Sequence, residues 1–182
     1  MNRYAFLRRA LAALLLVCLL GAQLTALADD FYFGEQELQL WDGAYAITVD
    51  KHWTLETDFE IPNKRGPHDR FWTWKQFCVK DNHNQKVLRF FKEVYPANYG
   101  NPQANVALLE TFAEQVAHLK FHESHAIKIG DWQAVQLVGK QYKAIAILTE
   151  REILYFASQH LTLEQLTAVM KTLREGEGDS NG

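Results

Sequence analysis

The chain has 182 residues, 48% hydrophobic and 23% charged, with 19 basic and 22 acidic side chains for a net charge of −3. That length suits one domain whose core is large enough to fold without disulfides. The slight acidity disfavours nucleic acid or an anionic membrane surface as the main partner.

The first predicted element is a leader. Residues 1–28 open with Arg3, Arg8 and Arg9 and no acid, run apolar over 10–22, and close with Ala26, Leu27 and Ala28 before Asp29 and Asp30. The arginines hold the N-terminus on the cytoplasmic side, the apolar run enters the bilayer, and small residues at −3 and −1 fit a signal peptidase. The pattern predicts a secretory signal peptide cleaved near Ala28, a periplasmic or secreted protein, and no integral membrane span after cleavage. An uncleaved anchor is the alternative, since a spanning helix needs about 20 apolar residues and 10–27 approaches that length. Cleavage removes three of the 19 basic residues and none of the 22 acidic ones, taking the charge to −6 and leaving Cys78 as the single thiol. A lone cysteine closes no intrachain bridge, and its place between Phe77 and Val79 reads as a buried, inert thiol.

Residues 29–175 read as one domain, with a disordered polar tail at 176–182. Leu38/Leu40 and Tyr45/Ile47/Val49 alternate on either side of Asp42-Gly43, which predicts a hairpin. Pro62, Gly66 and Pro67 place a loop at 61–70. Strands are expected over 71–80 and 86–95, both rich in aromatics. The period then changes: Val106, Leu109, Phe112, Ala113, Val116 and Leu119 recur every three or four residues, predicting an amphipathic helix over 102–121. Further strands are expected at 126–129, 134–138, 144–148 and 153–158. A second helix starts at Thr162, with Gln165 completing a capping box. Strands, helix, strands, helix in that order predict an α+β fold, an antiparallel sheet with two main helices packed on it.

The segment Gly43-Ala44-Tyr45-Ala46-Ile47-Thr48-Val49 followed by Trp53, a central helix, then Ile129-Gly130-Asp131-Trp132-Gln133-Ala134 leading into a hairpin and a closing helix, resembles the PsbP-like family, including its small bacterial envelope members. The resemblance spans about 37–174. It implies an α/β/α sandwich and a non-catalytic accessory or binding role.

Two groups of residues carry candidate chemistry. Glu114, His118 and His122 stand at i, i+4 and i+8 with His125 close behind, so on a continuous helix they form one stripe able to share a Zn or Cu ion. The bland alternative is a helix C-terminus whose dipole favours basic side chains. The second group is aromatic: Trp72 and Trp74 share one strand face, with Lys64, Arg65 and His68 in the neighbouring loop, a pattern that suits a protein or small-molecule ligand. Core packing is the alternative there. The carboxylate pairs Asp58/Glu60 and Glu150/Glu152 read as solvated surface.

There is no Gly-x-Ser-x-Gly, no Gly-rich phosphate loop and no Cys-x-x-Cys, so none of these catalytic signatures is met. The sequence reading is therefore an exported, non-enzymatic binding or accessory protein without a cofactor. A Zn- or Cu-binding protein using the His/Glu group is the first alternative, and an enzyme with no recognisable motif is the second.

Overall fold

The computed structural model describes residue 34 and residues 36–65, 71–94 and 102–176, with side chains at all of these except 61–65 and 71–74. The expected leader, His68 and the tail beyond Gly176 lie outside them. The described elements all belong to one compact unit.

The hairpin forms as its alternation predicts. β1 (Gln36–Leu40) pairs antiparallel with β2 (Tyr45–Val49), Leu40 opposite Tyr45. Asp42 and Gly43 sit at φ 59° and 86°, the sign that a type I′ turn requires at both central positions, and the Ala44 N–H donates to Trp41 O at 3.2 Å. Trp41 itself is at φ 50°, a region bulky residues avoid. Its ring is pinned edge-on against Phe90 at 5.3 Å and Tyr45 at 5.7 Å, the packing that holds a strained backbone in place.

The larger sheet has the order β3-β4-β5-β9-β8-β7-β6, all antiparallel, built from β3 (Thr54–Arg65), β4 (Phe71–Lys80), β5 (Lys86–Val94), β6 (Phe121–Ile129), β7 (Trp132–Gly139), β8 (Lys143–Leu148) and β9 (Glu152–Ser158). β10 (Arg174–Glu175) adds to β2, making a second, three-stranded sheet β1-β2-β10. The helices are α1 (Pro102–Gln115) and α2 (Leu163–Met170). At α2 the capping box is present: Gln165 N–H donates to the Thr162 hydroxyl, and Thr162 N–H donates to Gln165 Oε1. No helix among the described residues is long and apolar enough to cross a membrane.

Two apolar layers flank the larger sheet. On one face Leu88, Phe90, Leu154 and Phe156 pack with Leu40 and Ile47 of the small sheet and with Leu166 and Val169 of α2. On the other, Val135, Leu137, Ala144 and Tyr155 pack against Leu109 and Phe112 of α1.

This architecture corrects the expected α+β, α/β/α class: the fold is sheet-dominated, ten strands in two antiparallel sheets with two helices among the described residues. Three local events account for it. β3 continues through 61–65, where Pro62 and Gly66 predicted a loop, because it is an edge strand with a bulge between Ile61 and Lys64; proline is tolerated at an edge bulge. α1 stops at Gln115 and the chain enters β6 at Phe121, opposite Gly139 of β7. A Cβ on Gly139 would lie 2.9 Å from Lys120 O, so glycine there admits the backbone that ends the helical run. Finally, the small sheet shares with α2, only 8 residues long, the face where a helical layer would lie.

Candidate functional site

The end of α1 disperses the predicted histidine stripe. Ala117 N–H reaches back to Phe112 O at 3.2 Å, and Leu119 N–H closes on Ala113 O at 2.9 Å. His118 lies between them at φ 52°, the left-handed position that glycine usually fills after a helix. Glu114 is therefore on α1, His118 beyond its cap, and His122 and His125 on β6. His125 faces Glu123 at 3.7 Å. Among the described residues no group of three or more His, Cys, Asp or Glu is gathered to hold a metal ion. The i, i+4, i+8 spacing needed a helix through His122, and strand pairing with β7 replaced it.

Because left-handed backbone costs a residue with a Cβ roughly 1–2 kcal/mol, partly offset by glycine's larger unfolded entropy, His118→Gly is expected to raise stability by about 0.5–1 kcal/mol. The readout is the urea midpoint at constant m-value, and a fall in the midpoint would contradict the cap geometry.

For the aromatic group the structure gives backbone register only. Lys64 pairs with Trp72, Arg65 with Phe71, and Ile61 with Trp74. Lys64 and Arg65 thus belong to β3 rather than to a loop, adjacent to the strand carrying Trp72 and Trp74, while His68 lies outside the described residues.

The structure brings a different set together. Where α1 ends, it leaves part of β5 and β9 uncovered, and a cavity of about 220 Å³ opens there. Phe91, Tyr155, Leu119 and Ala157, all buried, form its inner surface. Phe91 and Tyr155 are tilted neighbours with ring centroids 5.2 Å apart. The more exposed Gln76, Arg89, Tyr142 and His118 line its mouth. Tyr155 is 5% exposed, yet its hydroxyl has no hydrogen-bond partner among the described residues. Burial, with Tyr142 alongside, pushes its pKa far above the ordinary phenol value, so at neutral pH it is a hydroxyl able to donate. An apolar inner surface with convergent polar groups is the lining of a ligand site, here at a volume below the roughly 300–1,000 Å³ of pockets for drug-sized ligands.

Arg89 is held in place from behind. Its Nη1 donates to Tyr142 Oη at 3.1 Å, and its Nε lies 3.5 Å from Asp58 Oδ2. Gln76 Nε2 donates to the same oxygen at 3.1 Å, and Lys86 Nζ bonds Asp58 Oδ1. Burial alone would raise the Asp58 pKa, but the bonds from Lys86 and Gln76 and the charges of Lys86 and Arg89 outweigh it and hold the carboxyl below its ordinary value. The reading of Asp58/Glu60 as solvated surface is thus corrected for Asp58, whose side chain is only 11% exposed. A register shift between Thr57 and Phe59 breaks the alternation and leaves Phe59, not Asp58, facing solvent. Cys78, opposite Arg89 in the β4–β5 register, is buried, and that burial pushes its thiol pKa up.

A second, larger cleft of about 680 Å³ lies by the β1–β2 turn, lined by Asp42, Glu150, Glu152, Glu175, Lys92 and Arg151 among others. Its central groups satisfy one another. Lys92 Nζ bonds Glu152 Oε1 at 2.7 Å and stands 5.6 Å from the Trp41 ring centroid. The Tyr45 hydroxyl donates to Glu152 Oε2 at 3.3 Å. Burial, tempered by a bond to Thr149 and reinforced by Glu152, pushes Tyr45 up to about 12. This cluster ties β2 of the small sheet to β5 and β9, and it corrects the solvated reading of Glu152.

Arg89, Tyr142 and Tyr155 escaped the sequence reading because pairing β5 with β9 and β9 with β8 is what makes them neighbours. One signal was present: Tyr155 sits within Ile153, Leu154, Phe156 and Ala157, the continuous apolar run of a strand covered on both faces, where a hydroxyl needs a partner. No family model matches the chain, and no curated protein matches it.

Proposed function

We propose that the chain is an exported, non-enzymatic binding protein that holds a small ligand in the pocket between the end of α1 and strands β5 and β9. The observation that carries this reading is the unpartnered hydroxyl of buried Tyr155 at an aromatic cavity. Lining an open cavity, that hydroxyl is within reach of a bound acceptor, and a hydrogen bond to one adds about 0.5–1.5 kcal/mol. The groups around it, the Arg89 guanidinium, the Tyr142 phenol, the Gln76 amide and the His118 imidazole, are suited to binding and orienting. With its pKa raised, Tyr155 serves as a donor rather than as a base. Export rests on the leader pattern of residues 1–28.

Native mass spectrometry of the protein recovered gently from cells tests both parts. The expected mass begins at Asp29 and carries a small non-covalent adduct, which Ala117→Trp, at a further residue of the pocket lining, abolishes while the circular dichroism spectrum is retained. A mass that includes residues 1–28 overturns the cleaved-signal reading. A bare mass together with no saturable binding in a fragment screen overturns the ligand-binding reading.

A further inference from the structure

We infer that the pocket selects a small carboxylate with a flat apolar body, the carboxylate lying on Arg89 and the body against Phe91 and Tyr155. This rests on the pocket being the ligand site and adds the chemical class of what it takes.

The charge arrangement is the first support. One carboxylate, Asp58, is shared by two cations, Lys86 and Arg89, so the cluster carries a surplus positive charge beside the pocket mouth in a chain of net negative charge. Arg89 engages Asp58 through Nε and Tyr142 through Nη1, leaving Nη2 without a protein partner among the described residues. A guanidinium is a donor only, with a planar fork that matches a carboxylate.

Donors also predominate among the remaining polar atoms, with Gln76 Oε1 and one His118 ring nitrogen as the acceptors. Tyr142 Oη already accepts from Arg89, so its O–H is left to donate, and the Tyr155 hydroxyl has no partner among the described residues. Gln76 spends an amide N–H on Asp58. Converging donors with one surplus cation favour an acceptor-rich anion over a neutral or cationic ligand. Phe91, Leu119 and Ala157 line the same cavity as Arg89 and Tyr155, so an apolar body suits the carboxylate, and the tilted Phe91–Tyr155 pair offers ring faces and edges to an aromatic one. Size agrees: an apolar cavity of about 150 Å³ holds benzene, so about 220 Å³ has room for one ring and a carboxylate.

The experiment is titration calorimetry of the purified protein with benzoate, benzyl alcohol and benzylamine at low ionic strength. Benzoate is expected to bind at least tenfold more tightly than benzyl alcohol, with benzylamine weakest, and its advantage is expected to shrink as salt is added. Arg89→Met, which keeps the apolar stem and loses the fork, is expected to lower benzoate affinity tenfold or more and to move benzyl alcohol far less. Arg89→Lys is expected to retain part of the preference.

Benzyl alcohol binding as tightly as benzoate, with both lost in Ala117→Trp, overturns the carboxylate class and leaves the binding reading standing. Tightest binding of benzylamine overturns the class by sign. No saturable binding of any probe overturns this inference, and the adduct measurement above then decides the binding reading separately.

Discussion

Phe90→Ala is expected to lose about 3–5 kcal/mol of folding stability, the usual cost of emptying a fully buried aromatic site. Phe90 is wholly buried. It stacks on Phe77 and Phe156, each with its centroid 5.5 Å away, and takes the edge of Trp41 at 5.3 Å. It therefore joins β4, β5 and β9 of the larger sheet to the turn of the small one. Such ring pairs add about 0.5–1.5 kcal/mol beyond buried area, so Phe90→Leu, which keeps most of the volume, is expected to lose markedly less. On β5 it stands between Arg89 and Phe91, which face the pocket from the opposite side of the sheet, so its loss also loosens the pocket wall. Urea unfolding at constant m-value measures both variants. A Phe90→Ala cost below about 1 kcal/mol, near the range of an ordinary surface change, would contradict the described packing.

Asp58→Asn is expected to lose about 1.5–3 kcal/mol at pH 7, the range for hydrogen bonds to a charged group, and to lower benzoate affinity by releasing Arg89. The pH dependence gives the sharper test. The folded-state pKa of Asp58 lies below its unfolded value, so the stabilisation is fully present above the unfolded pKa of about 4. It is lost as pH falls through the depressed folded value. The stability difference between wild type and Asp58→Asn is therefore expected to be flat from pH 7 to about 5 and to shrink steadily below about 4. A difference unchanged down to about pH 2 would mean that the effect is steric and that the carboxylate charge has no part in it.

The legible elements are those that depend on near neighbours along the chain. The β1–β2 hairpin follows from Leu38 and Leu40 alternating into Asp42-Gly43 and out through Tyr45, Ile47 and Val49. The Thr162–Gln165 capping box follows from two side chains three residues apart. Both are local hydrogen-bonding and turn chemistry, and both have the geometry expected of them.

The elements that depart from expectation are those where long-range pairing outweighed local preference. Val116 and Leu119 continue the helical period of Leu109 and Phe112, yet β7 captures the backbone near Phe121, and the histidine stripe disappears with the last turn. Pro62 is a turn signal that an edge strand absorbs in a bulge. Asp58 alternates like a solvent-facing residue until a register shift turns it toward Arg89.

The leader pattern, the acidic balance, the hairpin and the helix cap are properties of composition or of residues close enough to interact before the chain folds, so the amino-acid order is sufficient to specify them. The sheet-dominated class and the pocket arise at the tertiary level. Tyr155, Arg89 and Tyr142 lie on separate stretches of chain, and they meet because β5, β9 and β8 pair in an order that no local pattern specifies.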